Sequence, residues 1–236
     1  MNATADSAFF SSLKGETHFY LIRHGRSEGN AQGLFQGRLD MRLDEVGRSQ
    51  ARAAGEWLAK QGIDAICSSP LARAAETAQA IASACAVSDV RLDPTLAEID
   101  TGIFTGLSFE ESRERHPEVY AAFEGRSWEA VPGAERADAL YDRAMRAWSL
   151  LRARAQAGYR AIACVSHGGF IQWLVRSTFG CGSWMPLLTT SNCGVFELLV
   201  EPQPAGPAYL QWRHLNFQAP PEAPPPEGNA AHSGSA

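Results

Sequence analysis

Two short apolar runs in this chain end in the same way. Phe19-Tyr20-Leu21-Ile22 leads into Arg23-His24-Gly25, and Ala161-Ile162-Ala163-Cys164-Val165-Ser166 leads into His167-Gly168-Gly169. Each run reads as a short strand closed by a glycine turn. In open α/β sheets, ligands bind outside the carboxyl ends of the strands. Two strands that each deliver a histidine to a glycine turn suit the handling of a phosphoryl group. One imidazole can act as nucleophile, and a neighbouring arginine can clamp phosphate oxygens.

The rest of the chain alternates strands with helices. Strand one covers about 17–23, and the loop 24–43 is rich in Gly, Asn, Gln and Arg, which suits a functional loop. Asp44 is the expected N-cap of a helix over 45–61, with Val46, Ala53, Trp57 and Leu58 at helical spacing. A strand follows at 63–68. Pro70 is expected to open a helix over 71–85, and a short strand covers 90–92. Residues 98–133 break the pattern with Gly102, Gly106, Pro117, Gly125, Pro132 and Gly133, and read as an inserted lid with helical pieces at 109–115 and 117–124. A long helix over 135–156 carries Ala139, Leu140, Ala144, Ala147, Trp148 and Leu151 as one stripe. A strand at 159–166, a helix at 169–179 and a hairpin of strands 195–200 and 209–215 complete the pattern.

This order predicts an α/β fold: a three-layer αβα sandwich with a mostly parallel central sheet, an antiparallel edge strand and a helical lid insertion. Residues 1–16 read as a loose N-terminal tail, 17–217 as one domain, and 218–236 as a disordered Pro/Gly/Ala-rich tail.

At 236 residues and 45% hydrophobic content, one core is the expectation. A net charge of −5 argues against electrostatic binding to nucleic acid or to an anionic membrane, and no apolar stretch approaches the length of a membrane span. The N-terminal stretch lacks a signal-peptide core, and the five cysteines show no Cys-x-x-Cys spacing, so a reduced, cytoplasmic protein is expected. Monomer and homodimer stay equally open. There is no His-x-x-x-His, no carboxylate cluster beside either histidine and no Gly-x-x-x-x-Gly-Lys-Ser/Thr loop, so no metal and no cofactor are expected.

Further motifs accompany the two histidines. They are Ser27 and Asn30; Gln36-Gly37 with Asp40 and Leu43; Gly47 and Gln50; Ser68-Ser69-Pro70-Leu71-x-Arg73-x-x-x-Thr77-Ala78; and Leu96-x-Glu98-Ile99 with Gly102 and Gly106. In this order they resemble the histidine phosphatase superfamily, in the branch that holds cofactor-dependent phosphoglycerate mutases and small phosphatases. The resemblance spans roughly residues 17–217.

The resemblance and the chemistry imply the same roles. His24 is the expected nucleophile. Gly25 lets backbone come close to phosphate. Arg23, Arg73 and His167 would surround the phosphoryl oxygens, since phosphoryl transfer needs mostly positioning and charge neutralisation. Asn30, Gln36, Gly37 and Gly168 would line the same mouth. The family pattern makes Glu98 the proton donor. From the residues alone, Asp100, Glu110 and Glu111 stay open for that role. Arg26, Arg38 and Arg42 read equally as a basic rim for substrate or as solvated surface. His18, His116, His214 and His232 read as surface or structural.

Mutases of the family are expected to carry a Tyr-Gly-Gly-x-x-Gly-like run with basic residues after the glutamate. Here the run is Glu98-Ile99-Asp100-Thr101-Gly102-Ile103-Phe104-Thr105-Gly106, which resembles the phosphatase version. Phe104, Phe109, Tyr120, Phe123 and Trp128 follow, either as an apolar lid over the leaving group or as core. Arg26 and Met41-Arg42 depart from the family pattern, and that bears on substrate identity. The expected activity is hydrolysis of small-molecule phosphomonoesters through a phospho-His24 intermediate. A phosphoglycerate mutase, or a non-catalytic module binding a phospho-ligand or a protein, are the alternatives.

Overall fold

A computed structural model of the chain describes residues 3–184 and 186–220. Its frame is a six-stranded sheet in the order β3-β2-β4-β1-β5-β6. The strands are β1 (Thr17–Arg23), β2 (Ala65–Ser68), β3 (Val90–Leu92), β4 (Ala161–Ser166), β5 (Val195–Glu201) and β6 (Tyr209–Phe217). The first four are mutually parallel. β5 runs antiparallel to β1, and β6 pairs antiparallel with β5. The antiparallel strand therefore lies one place inside the edge, as the inner arm of the expected hairpin.

Both faces of the sheet are covered, which is why its central strands are apolar on both sides. On one face Phe19, Leu21, Ile162 and Cys164 pack under α6 (Ala137–Gln156) and α7 (Gly168–Thr178). On the other, Tyr20, Ile22, Ala163 and Val165 pack under α2 (Glu45–Ala59) and α3 (Ala72–Cys85), which follow the single helical turn α1 (Glu28–Ala31) in the chain. The three-layer sandwich is as expected. Asp44 caps α2 by accepting from the Gly47 N–H at 2.7 Å. The buried face of α2 is Ala51, Ala54 and Leu58, whereas Val46 is exposed, so its stripe is rotated from the expected one. In α6 the expected stripe is buried except Ala139. Trp148 lies at its centre, with its indole N–H donating to the Leu174 carbonyl at 2.9 Å.

Three expectations need correction. Leu71 is the N-cap of α3, so Pro70 stands outside the helix rather than at its first position. The 159–166 strand begins only at Ala161, because the backbone N–H groups of Arg160 and Ala161 are taken by the Asp64 carboxylate. The N-terminal segment is not loose. Ala5, Phe10 and Leu13 are buried in the main core, and the Ala5 N–H donates to the Ser177 carbonyl at 3.0 Å. Its apolar residues are too few to signal an element, yet they fill a gap beside Phe19 and Trp148.

The insertion holds α4 (Phe109–Arg115) and α5 (Pro117–Arg126) between 3-10 turns. It has a small core of its own, in which Phe104 and Val131 pack with Phe35, Phe123 and Trp128. Among the described residues, no helix is long and apolar enough to cross a membrane. The expected disorder of the C-terminal tail falls mostly on 221–236, outside the described residues.

Candidate active site

Register builds the site. β1 and β4 are adjacent and parallel, with Arg23 opposite Ser166, so the next residue on each strand is a histidine. The two imidazole centroids lie 5.0 Å apart. Gly25 allows the turn that follows: a Cβ there would meet the Gly47 carbonyl oxygen at 2.4 Å. The Gly25 N–H is held by Thr77 Oγ1 at 3.0 Å, which explains the threonine in the α3 motif.

A cavity of about 330 Å³ opens beside these turns. Arg23, His24, Asn30, Gln36, Gly37, Arg73, Glu98 and Gly168 all line it. His167 does not. It is fully buried, with its ring tilted against that of His24. The other expected catalytic and substrate-binding residues reach the cavity wall, whereas Gly25 does not.

The hydrogen bonds fix the roles of atoms. His24 Nδ1 lies 2.7 Å from the Gly25 carbonyl, to which it can only donate. Nε2 is therefore the unprotonated nitrogen, and it accepts from Arg73 Nε at 3.2 Å. Burial, with Arg23 and Arg73 adding to it, pushes the His24 pKa well below the usual histidine value. The ring is held neutral, with its lone pair at Nε2 held by the Arg73 Nε–H. His167 is pushed down in the same way, by burial first and then by Arg73, His24 and Arg23. Its Nε2 lies 2.8 Å from Ser69 Oγ, which itself accepts from the Leu71 N–H. His167 Nδ1 is buried without a protein partner, and it is a donor in the tautomer that takes the Ser69 hydroxyl hydrogen at Nε2. Arg23 Nε is also buried and unpartnered, while its Nη1 donates to the Thr190 carbonyl at 2.5 Å.

Arg73 is almost fully buried, yet each of its nitrogens has a partner. Besides His24, Nη1 donates to the Leu39 carbonyl at 2.6 Å and Nη2 to the Gly37 carbonyl at 2.8 Å. Burial lowers the pKa of Arg23 and Arg73, and Glu98 opposes that shift in both.

The amide side chains offer donors. Asn30 Oδ1 is occupied by Ser27 and Asn192, and Gln36 Oε1 by Ser27 Oγ, so what remains for the cavity is each NH₂ group. Gln172, which the sequence did not single out, follows the same rule. Its Oε1 accepts from Arg176 and from the Leu188 N–H. Thr190 is a second cavity residue without a sequence signal, coming from the loop before β5.

Glu98 is the acidic residue on the cavity wall. Its carboxylate accepts from the Gly169 and Phe170 N–H groups at the start of α7, at 3.2 and 3.1 Å. Two of the other open acids have structural partners. Asp100 caps the Gly102 turn and Glu111 completes a capping box with Ser108. Glu110 is exposed on α4. Arg26, Arg38 and Arg42 are paired with Asp44, Glu135 and Glu76. Phe109 and Trp128 face the cavity beside Leu34 and Phe35, whereas Phe104, Tyr120 and Phe123 belong to the lid's own core. Among the described residues, no group of three or more His, Cys, Asp or Glu side chains is placed to hold a metal ion. A second depression of about 400 Å³, lined by Val46, Ala53, Cys193 and Ala219 among others, carries no cationic side chain for a phosphate.

Residues 19–214 match the family model of the histidine phosphatase superfamily, branch 1. The chain is 35% identical over 196 residues to phosphoglycerate mutase-like protein 4 of Arabidopsis thaliana, covering 82% of this chain and 84% of that one. It is 39% identical over 159 residues to a metal-independent phosphoserine phosphatase of the same plant, covering 66% of each. Among solved structures, it resembles mycobacterial glucosyl-3-phosphoglycerate phosphatase, solved as a complex with VO3. The TM-score is 0.73 at 26% identity, over 85% of this chain and 99% of that one.

Proposed function

Because the chain belongs to branch 1 of the histidine phosphatase superfamily, we propose that it hydrolyses small-molecule phosphomonoesters through a covalent phosphohistidine at His24, without a metal ion. One observation carries this reading. His24 Nδ1 is committed to the Gly25 carbonyl, so the lone pair belongs to Nε2, which accepts from Arg73 Nε at 3.2 Å, and both residues line the cavity.

The Nε2 lone pair attacks phosphorus as the P–O bond to the ester oxygen breaks. That oxygen keeps the bonding pair and takes the Glu98 proton, so a neutral alcohol leaves. Water then attacks the phosphohistidine. The P–N bond breaks, its electron pair returns to Nε2, the water's proton goes to the Glu98 carboxylate, and inorganic phosphate departs. Arg23 and Arg73 offset the charge on the phosphoryl oxygens, while His167 Nδ1–H and the Asn30 and Gln36 amides donate to them. A carboxyl group has no use in a module that merely binds phosphate, and the place of Glu98 on the cavity wall supports turnover. The five free cysteines support a reducing compartment such as the cytoplasm.

The test is phosphate release from p-nitrophenyl phosphate in excess EDTA, wild type beside His24→Ala. Release that disappears in the variant is the expected result. Equal release in both proteins would remove His24 from the mechanism. No release in either would shift the reading to a phosphoglycerate mutase, checked by isomerisation of 3-phosphoglycerate.

A further inference from the structure

Arg143 on α6 is nearly buried, and it touches neither the nucleophile nor the phosphate cradle. Its guanidinium is nevertheless fully engaged. Nε and Nη2 grip the two Glu135 carboxylate oxygens at 2.8 and 2.7 Å. Nη1 donates to the carbonyls of Ala97 at 2.6 Å and Thr95 at 3.1 Å, and Nη2 reaches the Glu98 carbonyl at 3.5 Å. The guanidinium also lies over the Phe170 ring, 3.9 Å from its centroid. Phe170 is the residue whose N–H holds the Glu98 carboxylate.

The same guanidinium therefore holds the backbone on both sides of the acid: the 95–98 segment by hydrogen bonds, and the first turn of α7 by stacking. Glu135 extends the link. Its carboxylate also accepts from the Asp100 N–H and from Arg38, next to Gly37 at the cavity mouth. Gly169 completes the seat, since a Cβ there would meet Glu98 Oε1 at 2.7 Å. A bidentate arginine on a carboxylate is geometrically strict, and lysine cannot reproduce it.

The geometry points to Arg143, anchored by Glu135, as the positioning residue that sets the Glu98 carboxyl against the leaving-group oxygen. This rests on the reading of Glu98 as proton donor. A misplaced acid has a specific consequence. Esters whose leaving group needs a proton slow down, whereas p-nitrophenolate departs without one. Misplacement also slows the second step, in which the same carboxylate activates water.

The experiment compares kcat/KM for phenyl phosphate and p-nitrophenyl phosphate, two esters of nearly the same shape, in wild type, Arg143→Met and Glu135→Gln. kcat/KM reports transfer to His24, and the ratio of the two substrates is independent of how much of a preparation is folded. We expect the phenyl ester to lose about tenfold or more beyond any loss with the nitrophenyl ester. With p-nitrophenyl phosphate, kcat should fall more than kcat/KM, with a burst of nitrophenolate as phosphoenzyme accumulates. Equal losses on both esters, or none, would overturn the role. Where Arg143→Met fails to fold, Glu135→Gln decides by the same criterion. A wild type inactive on both esters would overturn the phosphatase reading, and this role with it; an active wild type with unselective variants overturns the role of Arg143 alone.

Discussion

Arg73 reaches His24 Nε2 at 3.2 Å through Nε while its other two nitrogens hold the carbonyls of Leu39 and Gly37. One side chain from the first turn of α3 thus fixes the loop that closes the cavity mouth and stands beside the nucleophile. The planar fork of arginine makes this geometry available.

Arg73→Lys should therefore be a costly exchange despite keeping the charge. A single ammonium cannot serve the two carbonyls and the phosphoryl oxygen together. The expected loss is about 10²–10³ in kcat/KM for p-nitrophenyl phosphate, the scale of removing one preorganised donor. Steady-state kinetics on the purified variant checks it, and activity within threefold of wild type would contradict the assignment.

Acid should destabilise the protein earlier than its carboxylates would dictate. His24 and His167 both have folded-state pKa values well below the ordinary histidine value, chiefly through burial. Between those depressed values and about pH 6.5, the unfolded chain binds the protons and the native protein does not. Their contribution is thus fully present above about pH 6.5 and is lost as pH falls below it. Each histidine adds a slope of at most about 1.4 kcal/mol per pH unit. Urea unfolding at pH 7.5, 6.5 and 5.5 measures this. The double variant His24→Asn, His167→Asn should show a flatter profile, and an unchanged profile would contradict the neutral buried pair.

The histidines were legible because each ends an apolar strand at a glycine, and local chemistry is what a sequence displays. Their adjacency was not. It depends on β4 pairing with β1, a register set by the whole sheet. Glu98 was legible as a residue, but its choice over Asp100 and Glu111 rests on which carboxylate lines the cavity. Gln172 lies on a helix and Thr190 in a loop, with nothing nearby to mark either. Arg143 reads as an ordinary helical arginine until its partners at 95–98 and Glu135 come together in space. The lid aromatics divided: Phe109 and Trp128 line the cavity, whereas Phe104 is buried in the insertion's core. Periodicity is too weak in so irregular a segment to separate the two.

The cavity should prefer neutral leaving groups to carboxylated ones. Among the described residues, its only cationic side chains are Arg23 and Arg73, both beside the nucleophile. The nearby Arg26, Arg38 and Arg42 already face carboxylates. The outer wall is Leu34, Phe35, Phe109 and Trp128, and the half-exposed Phe109 ring lies tilted against Phe35 with centroids 4.3 Å apart. Phenyl phosphate should exceed phosphoserine and 3-phosphoglycerate in kcat/KM by about tenfold or more, since burying an unpaired carboxylate is costly. Phe109→Ala should raise KM for phenyl phosphate several-fold and leave phosphoserine unchanged. A preference for the carboxylated esters would contradict this account of the wall.

Phe10 tests whether the N-terminal segment belongs to the fold. Its ring is fully buried, edge-on to Trp148 at 5.5 Å and tilted against Phe19 at 5.6 Å. The segment around it is tied down at two further points. Arg152 donates to the Phe9 carbonyl at 2.7 Å, and the Ala208 N–H donates to the Ser7 carbonyl at 3.1 Å. Phe10→Ala removes a large side chain from a site whose neighbours, a sheet strand and the central helix, cannot collapse into the space. The expected loss is about 3–5 kcal/mol of unfolding free energy. None of the rings Phe10 touches lines the cavity, so kcat/KM per folded molecule should be unchanged. Urea denaturation beside kinetics separates the two effects. A loss below about 1 kcal/mol, on the scale of ordinary surface substitutions, would return the segment to the status of a tail.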